Sequence, residues 1–516
     1  MKIHLQSFFI SVFLVLLFSS TQVFAEDSKQ WSVDKPIIVM QGIETQLEIH
    51  VPQDKNSIVL IINGEERELK VINGVANYPI HFTKETIITI ESQYGVIETD
   101  IDPIPIWFSI IPPLIAILFA LIFKEVFTAL FMGLFIGTFT IYYYYGLGLF
   151  SALVKGFLSI VDHYIVRSLN NTGHISIIIF SLMIGGMVHI ITKNGGMRGV
   201  VNYLSKYAKT KKSGQFTTWL LGVAIFFDDY ANTLVVGNTM RPVTDRLNIS
   251  REKLAYLVDS TAAPIASIAL ITTWVGAELS YIQDGIKFLS LDETPYIVFL
   301  HSLKYAFYPI FTLGFILILI FTGRDFGPMR KAEQRLEVKS LNTDELSDED
   351  KNFLPKEGVK TRAYNALLPV FVVVFGTIAG LFYTGLESAS WSSDMSFSRN
   401  LSEVIGAADS YIALLWSSLA GIFVAVVLSV SQGLLTLKES MDSMVDGFRL
   451  MLTAVLILTL AWALASLTED LHTAEFISNS LIQWEVSPYL VPGLAFVLAA
   501  VVAFSTGSSW GTMAIL

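Results

Sequence analysis

Residues 226–234 of the chain read Phe-Phe-Asp-Asp-Tyr-Ala-Asn-Thr-Leu. The two adjacent carboxylates of this stretch, Asp228 and Asp229, interrupt an apolar segment that runs from 215 to 240. An apolar helix needs about 20 residues to cross the hydrocarbon core of a bilayer, and each arm of this segment has only about ten. The pattern therefore predicts a re-entrant hairpin, which enters a membrane and turns back at the aspartates.

The composition of the whole chain is that of a membrane protein. Of its 516 residues, 53% are hydrophobic and only 15% are charged, and the mean hydropathy is +0.57. Soluble domains carry charge on roughly a quarter of their residues, so a soluble chain is excluded. The net charge of −11 says little about partners, because the acidic residues are scattered, and no basic run is long enough to suggest nucleic acid. Apolar segments run over 105–123, 126–145, 174–192, 215–240, 254–279, 294–322, 364–385, 409–431, 448–467 and 488–516.

The first 25 residues have the features of a signal peptide. Lys2 gives a positive start, residues 8–18 form a short apolar run, and Val23-Phe24-Ala25 fits a cleavage site. The alternative is an uncleaved first transmembrane helix. Either way, the chain from Glu26 onward is expected outside the cytoplasm.

Residues 26–101 differ in kind from the apolar remainder. Short β-branched, partly alternating runs are separated by turn signals such as Asn63-Gly64 and Asn73-Gly74. They predict a small all-β, immunoglobulin-like sandwich. Because no catalytic or metal-ligand cluster stands out in it, we interpret it as an extracytoplasmic cap or interaction module.

Charge orients the membrane segments. The loop 193–213 carries six basic residues and no acidic one, and the polar stretch 323–362 is also rich in Lys and Arg. The positive-inside rule places both in the cytoplasm. Three apolar segments separate these two loops, and an odd number of crossings cannot return to the same side. One segment must be re-entrant, and 215–240 is the one that is split in its middle.

The chain also repeats itself weakly, at an offset of about 276 residues. Ile184-Gly185-Gly186 corresponds to Leu464-Ala465-Ser466, and the stretch 227–233 corresponds to 504–510. The charge count makes the two copies run in opposite directions, which is a signature of secondary transporters. The alternative is that two apolar stretches resemble each other by composition alone.

The predicted fold is thus a polytopic α-helical membrane protein with two inverted repeats and re-entrant hairpins, preceded by the all-β domain. The second repeat stops at Leu516 within its own hairpin motif, so we expect the gene to encode roughly eighty further residues. The predicted domains are a signal peptide (1–25), the β domain (26–101), a first transporter repeat (102–322), a cytoplasmic linker (323–363) and a truncated second repeat (364–516).

Asp228 and Asp229 are the first candidate ligands for a cation. A carboxylate in the hydrocarbon core costs about 2.5–3.5 kcal/mol on insertion scales, so it is functional by default. Asn232, Thr233 and Asn238 add the oxygen ligands that an alkali ion takes, and adjacent carboxylates can share a proton. The alternative is a hydrated loop tip or a helix cap.

Two further motifs add candidate ligands. Residues 259–264 contain Asp259, Ser260 and Thr261 before Pro264, which can break a membrane helix and free backbone carbonyls, although Asp259 could instead be an N-cap. Residues 505–512 are rich in hydroxyl groups and glycine, which offer ligands but also pack helices. Glu278, near a predicted helix end, is interpreted as an interfacial residue. The candidates in the third motif are Ser505, Thr506, Ser508 and Ser509.

Several chemistries have no support in the sequence. The chain has no cysteine, which excludes disulfides and thiolate metal sites. It has no phosphate-binding loop and no nucleophile–base arrangement. We therefore expect no enzymatic activity and no cofactor.

The three motifs, over residues 105–516, resemble those of the NhaC-type sodium/proton antiporters. The resemblance implies membership in the ion-transporter superfamily, whose members have two inverted repeats with re-entrant hairpins. It also implies a bacterial inner-membrane protein that takes Na⁺ and H⁺ as cargo, with Asp228 and Asp229 as the Na⁺ ligands. The signal peptide and the β domain depart from the family pattern.

Three functions are weighed. The leading hypothesis is exchange of cytoplasmic Na⁺ for external H⁺. The second is a Na⁺- or H⁺-coupled carrier of an organic anion or an amino acid, which would ask for a cationic group in the site. The third is a sensor or receptor that uses the β domain. A homodimer is left open.

Overall fold

The structure is a computed structural model, which describes residues 31–51, 56–226, 229–272, 274–335, 355–356, 358–391, 397–506 and 509–515. The predicted signal peptide lies outside these residues. The chain divides into two compact units: Met1–Pro112 with Phe135–Ser159 and Leu467–Val486, and Pro113–Leu134 with Ile160–Ser466 and Ser487–Leu516. The domain limits predicted from the repeat stay predictions.

The N-terminal part of the first unit is one seven-stranded antiparallel, barrel-like sheet. Its strand order is β1-β2-β5-β4-β3-β6-β7. The prediction of a small all-β unit is confirmed, whereas the likeness to an immunoglobulin sandwich stays a prediction. The strands are β1 (Ser32–Asp34), β2 (Glu44–His50), β3 (Ser57–Ile62), β4 (Glu65–Ile72), β5 (Val75–His81), β6 (Thr86–Ser92) and β7 (Gly95–Ile101).

Local chemistry explains the sheet. The two-residue turns Asn63-Gly64 and Asn73-Gly74 have positive φ at both residues, as a hairpin turn of type I′ requires. Strand β3 alternates in burial, so that every second side chain enters the core. The core of the sheet contains Leu47, Ile49, Leu60, Ile88 and Ile90.

The remainder of the described chain is helical. Short 3₁₀ turns at Ile106–Ile110, Leu303–Tyr305 and Pro488–Leu490 and a π turn at Ile160–Ile165 connect some of the helices. The helices are α1 (Ile111–Phe123), α2 (Val126–Tyr144), α3 (Leu149–Ser159), α4 (Val166–Leu169), α5 (Thr172–Lys193), α6 (Gly196–Ser205), α7 (Lys211–Ala224), α8 (Asp229–Arg246), α9 (Arg251–Ala266), α10 (Val275–Leu289), α11 (Pro295–Ser302), α12 (Phe307–Thr322), α13 (Gly327–Arg335), α14 (Tyr364–Ser388), α15 (Phe397–Gly406), α16 (Ser410–Ser431), α17 (Leu437–Asp470), α18 (Thr473–Gln483), α19 (Val491–Thr506) and α20 (Ser509–Ile515).

Seven helical stretches of the described chain are long and apolar enough to cross a membrane, or up to nine if each of two bent pairs counts as one span. The bent pairs are Pro295–Tyr305 with Phe307–Thr322, and Thr473–Gln483 with Pro488–Phe504. The seven are Ile106–Phe123, Val126–Tyr144, Leu149–Leu169, Thr172–Lys193, Tyr364–Ser388, Ser410–Ser431 and Leu437–Asp470.

The structure changes the predicted list of segments in two places. The stretch Leu149–Leu169 is a candidate span that the sequence analysis does not include. Its polar residues, among them Lys155 and Arg167, dilute the apolar pattern that the other spans show. The predicted segment 254–279 is not continuous, because α9 ends at Ala266 and α10 begins at Val275.

Small residues let α5 and α17 approach closely within the second unit. A Cβ atom added to Gly447 would lie 2.4 Å from the backbone oxygen of Gly185, and one added to Gly186 would lie 2.7 Å from the Phe448 ring. Lipid tails are as apolar as leucine, so the hydrophobic effect does not drive membrane helices together. Such helices associate instead through close contacts of this kind. The two helices therefore pack backbone against backbone.

Candidate ion-binding site

Helices α7 and α8 form an antiparallel hairpin, in which α7 ends at Ala224 and α8 begins at Asp229. The Asn232 amide donates to the backbone oxygens of Gly222 and Ile225, at 2.6 and 3.0 Å. In an unbroken helix residues ten positions apart would be about 15 Å apart, so the chain folds back on itself between them. At the other end, a Cβ atom on Gly214 would lie 2.5 Å from Leu247. The break that the sequence predicts at the aspartates is therefore present.

Asp229 is the first residue of α8, and its side chain is half-buried. Its Oδ1 atom accepts a hydrogen bond of 3.1 Å from the indole Nε1 of Trp274. The N-terminus of a helix carries a partial positive charge that stabilises a carboxylate. A negative group is thus held at a defined place beside the turn of the hairpin.

Trp274 belongs to a second break, which covers residues 267–274 between α9 and α10. The Thr272 hydroxyl donates to the backbone oxygen of Ala266 at 3.0 Å. It also accepts from the backbone N–H groups of Trp274 and Val275, at 3.1 and 3.3 Å. One hydroxyl group therefore ties the end of α9 to the start of α10 and fixes the indole that reaches Asp229.

The position predicted for this second interruption is wrong by several residues. Asp259, Ser260 and Thr261 lie inside α9, and Pro264 lies in its last turn. Proline removes one backbone hydrogen bond but is tolerated there because the helix ends two residues later. Asp259 is exposed and is not an N-cap, since the Ser250 side chain caps α9.

The structure brings some of the predicted ligands together. Asn232 is fully buried, and its Oδ1 atom has no hydrogen-bond partner among the described residues. Thr261 lies against Gly222, where a Cβ atom would meet its hydroxyl group, and it donates to the Leu257 and Val258 oxygens of its own helix. An amide oxygen that is buried and unpaired is a ready ligand for a cation.

Other predicted ligands are not placed in this group. Thr233 is exposed, and Ser260 is half-buried on α9. Ser509 is half-buried at the start of α20, after the break that follows α19. The described part of the chain does not include Asp228, Ser508 or the side chains of Asn238, Ser505 and Thr506.

A small cavity of about 10 Å³ lies beside the two breaks. Its walls include Phe226 from the hairpin, Ile271 and Thr272 from the second break, and Val370 and Val373 from α14. A space of this size holds about one water molecule.

Two residues of this region carry little signal in the sequence. Trp274 is significant only because the break at 267–274 turns its indole towards Asp229. Glu278 lies one turn further along α10, where its amide donates to the Trp274 oxygen at 3.0 Å. Its Oε2 atom is buried and has no hydrogen-bond partner among the described residues. With α10 beginning at Val275, Glu278 lies in the first turn of this helix, near its N-terminal end.

Comparison with known proteins indicates a class of protein. The model of the Na⁺/H⁺ antiporter family matches residues 265–516, which include the second break, Trp274 and Glu278. A protein of Haemophilus influenzae, described as uncharacterized, is 28% identical over 435 residues, which cover 84% of this chain and 80% of that protein. No solved structure matches the chain. The family match and the seven apolar helices fit a multi-pass membrane transporter.

Proposed function

We propose that the protein is a Na⁺/H⁺ antiporter of the NhaC type, which exchanges cytoplasmic Na⁺ for external H⁺ across a bacterial inner membrane. The observation that carries the proposal is the Asp229 carboxylate, held by Trp274 at a helix N-terminus within a broken hairpin. Buried carboxylates in membrane segments mark ion pathways. The family match over residues 265–516 supports the same class of cargo.

In the proposed site, Na⁺ binds to oxygen atoms at the turn of the hairpin. Asp228 and Asp229 supply negative charge, and the unpaired Oδ1 atom of Asn232 supplies a neutral ligand. The Trp274 indole donates a hydrogen bond to Oδ1 of Asp229. The indole thereby orients the carboxylate without competing for the cation, because it can only donate.

Glu278 is the proposed proton-carrying group. An ionised carboxylate without a partner is costly away from water, so such a group neutralises by taking up a proton. Glu278 lies one helical turn from Trp274, close enough for its charge to influence a cation at Asp229. Loss of Na⁺ from the site then favours protonation of Glu278, and release of that proton favours Na⁺ binding.

The proposed ligands favour an inorganic ion over an organic substrate, because carboxylate and amide oxygens are the ligands that a hard cation takes. A carrier of organic acids would need a cationic group inside the site. The most deeply buried lysine of the region, Lys253, is paired with Asp325 at the end of the hairpin away from Asp229.

The proposed mechanism uses two inverted repeats, each with an interrupted helix. In the weak sequence repeat, residues 227–233 correspond to 504–510. One helix ends and the next begins near each stretch: α7 ends at Ala224 and α8 begins at Asp229, and α19 ends at Thr506 and α20 begins at Ser509. In secondary transporters such breaks expose helix ends and backbone groups near the midplane, and one repeat rocks against the other. We propose the same arrangement here, with the β domain outside the cytoplasm and the basic loops inside.

Inverted membrane vesicles test this function. Vesicles that contain the full-length protein are acidified by respiration, and NaCl is added while the pH gradient is followed with a fluorescent dye. We expect Na⁺ to collapse the gradient, and the variants Asp228→Asn and Asp229→Asn to abolish the response. A chain that never responds to Na⁺, Li⁺ or K⁺ refutes the proposal.

A further inference from the structure

A second cavity, of about 670 Å³, lies at the open end of the hairpin, away from Asp229. Its walls come from the N-terminus of α7, the C-terminus of α12 and the short helix α13. Helix α12 is half of a bent apolar pair that could cross a membrane, and α13 is polar. The cavity therefore lies where an apolar helix meets a charged segment.

The carboxylates that line this cavity are already paired. Glu333 forms an ion pair with the Lys211 ammonium at 2.5 Å and accepts a hydrogen bond of 2.7 Å from the backbone N–H of Ser250. Asp325 is paired with the buried Lys253. These pairs neutralise both acidic groups of the wall.

Three cationic groups of the wall remain. The Lys212 ammonium donates to the backbone oxygen of Phe321 at 2.9 Å and has two further donor hydrogens. Arg324 and Arg330 also line the cavity, and neither has a carboxylate within ion-pair distance in the described part of the chain. The N-terminus of α7 adds a partial positive charge. The cavity is thus an anion site whose guanidinium groups suit phosphate oxygens.

Apolar side chains flank the same cavity. Phe321 and Phe326 are exposed, at 63% and 66% of their surface. Their rings lie 6.1 Å from those of Phe216 and Phe315, respectively. Together the four rings form an apolar surface beside the cationic wall. A soluble phosphate compound has no acyl chain to pack against such a surface, whereas a phospholipid does.

We propose that this cavity binds the phosphate headgroup of an anionic phospholipid, with its acyl chains against the exposed phenylalanines. Lys212, Arg324 and Arg330 contact the phosphate, and the Lys211–Glu333 pair closes the wall behind it. Basic pockets between membrane helices hold anionic headgroups in this way. The site is separate from the proposed ion site and does not depend on the transport reaction.

Thermal unfolding with defined lipids tests the proposal. The full-length protein is purified in detergent, its melting is followed by tryptophan fluorescence, and dioleoylphosphatidylglycerol is titrated. The double variant Arg324→Ala/Arg330→Ala is compared with Lys206→Ala/Lys209→Ala, which removes two charges that do not line the cavity. Single variants Arg324→Gln and Arg330→Gln serve if the double variant does not fold.

We expect phosphatidylglycerol to raise the melting temperature of the wild type and of the Lys206/Lys209 control. The Arg324/Arg330 variant should bind it about 25-fold more weakly, since each charge near a membrane surface contributes about a fivefold factor. Dioleoylphosphatidylcholine should have no effect. Equal stabilisation of both double variants overturns the proposal. Stabilisation by inorganic phosphate as strong as by the lipid overturns the lipid as the source of the phosphate.

Discussion

At the scale of single residues, the role of Asp229 as an ion ligand stays a prediction, and the structure adds the surroundings of its side chain. A pair of aspartates within an apolar segment indicates a functional site, because charged residues are rare in membrane segments. The Trp274 contact depends on where α9 ends, and a pattern of Ser, Thr and Pro does not fix that to within a few residues. Asn232 was expected as a ligand, and in the structure its amide also holds the hairpin together.

The indole of Trp274 gives the first prediction. The variant Trp274→Phe keeps an aromatic ring at this position but removes the hydrogen bond to Asp229. A hydrogen bond to a charged group contributes about 1.5–3 kcal/mol, so we expect the Na⁺ concentration for half-maximal exchange to rise about tenfold or more, with little change in maximal rate.

Trp219→Phe is the matched control, since the Trp219 Nε1 atom has no hydrogen-bond partner among the described residues. Its kinetics should remain those of the wild type. Equal kinetics for the Trp274 and Trp219 variants would show that the indole does not orient the carboxylate.

Glu278 gives the second prediction. The variant Glu278→Gln cannot carry a proton, so we expect Na⁺/H⁺ exchange to fall at least tenfold while exchange of ²²Na⁺ for Na⁺ without a pH gradient continues. In Asp229→Asn both activities should be lost. The exposed Glu252, in the first turn of α9, gives the control variant Glu252→Gln.

Retention of full Na⁺/H⁺ exchange in Glu278→Gln would remove Glu278 from the mechanism and leave the antiporter intact. Loss of both activities would make Glu278 a sodium ligand. Absence of both activities in the wild type would refute the antiporter itself.

At the scale of elements, helix existence was predictable and helix continuity was not. Long runs such as 126–145 and 409–431 correspond to single helices. A run of about 20 apolar residues in a membrane must satisfy its backbone hydrogen bonds internally, which a helix does. The break at 267–274 contains apolar and hydroxyl residues only, so composition does not reveal it. The stretch 149–169 was missed for the opposite reason, because charged residues interrupt an otherwise apolar helix.

The base of the hairpin gives the third prediction, on pH and stability. Burial acts to raise the pKa of Glu333, but hydrogen bonds from Lys211 and from Ser250 outweigh it and lower the pKa below its usual value. Because the folded-state pKa is lowered, the ionised group stabilises the fold above the usual carboxyl range. That contribution is lost as the pH falls through the lowered pKa.

We therefore expect Glu333→Gln to lower the melting temperature at pH 7 and the difference from wild type to shrink as the pH falls below about 4. The exposed Glu293 gives the control Glu293→Gln, which should match the wild type throughout. A difference that is as large at about pH 2 as at pH 7 would contradict the role assigned to the ion pair.

At the scale of the whole molecule, the sequence predicted that the two basic segments share one side of the membrane. In the structure these segments contact each other: Lys211 pairs with Glu333, and the Lys356 amide donates to the Lys193 oxygen at 3.0 Å. Parity and charge were enough for this result, because both operate on whole segments. They do not count the extra candidate span Leu149–Leu169, so the side of the β domain stays a prediction.

Cysteine labelling tests on which side of the membrane the β domain lies, and the chain has no native cysteine to interfere. We expect a membrane-impermeant reagent to label Lys84→Cys, in the β domain, on intact spheroplasts. Lys206→Cys, in the basic loop, should react only after the membrane is opened. Labelling of both from the same side would show that Leu149–Leu169 adds a crossing and that the predicted orientation is wrong.

The most direct test of the central claim is ²²Na⁺ uptake by the purified full-length protein in proteoliposomes with an imposed pH gradient. If Asp229 binds the transported ion, the wild type takes up Na⁺ in proportion to the proton gradient. Asp229→Asn should then fall below about a tenth of that rate, and the exposed Asp259→Asn should equal the wild type. Uptake that continues in Asp229→Asn, or wild-type uptake that ignores the proton gradient, would contradict the account.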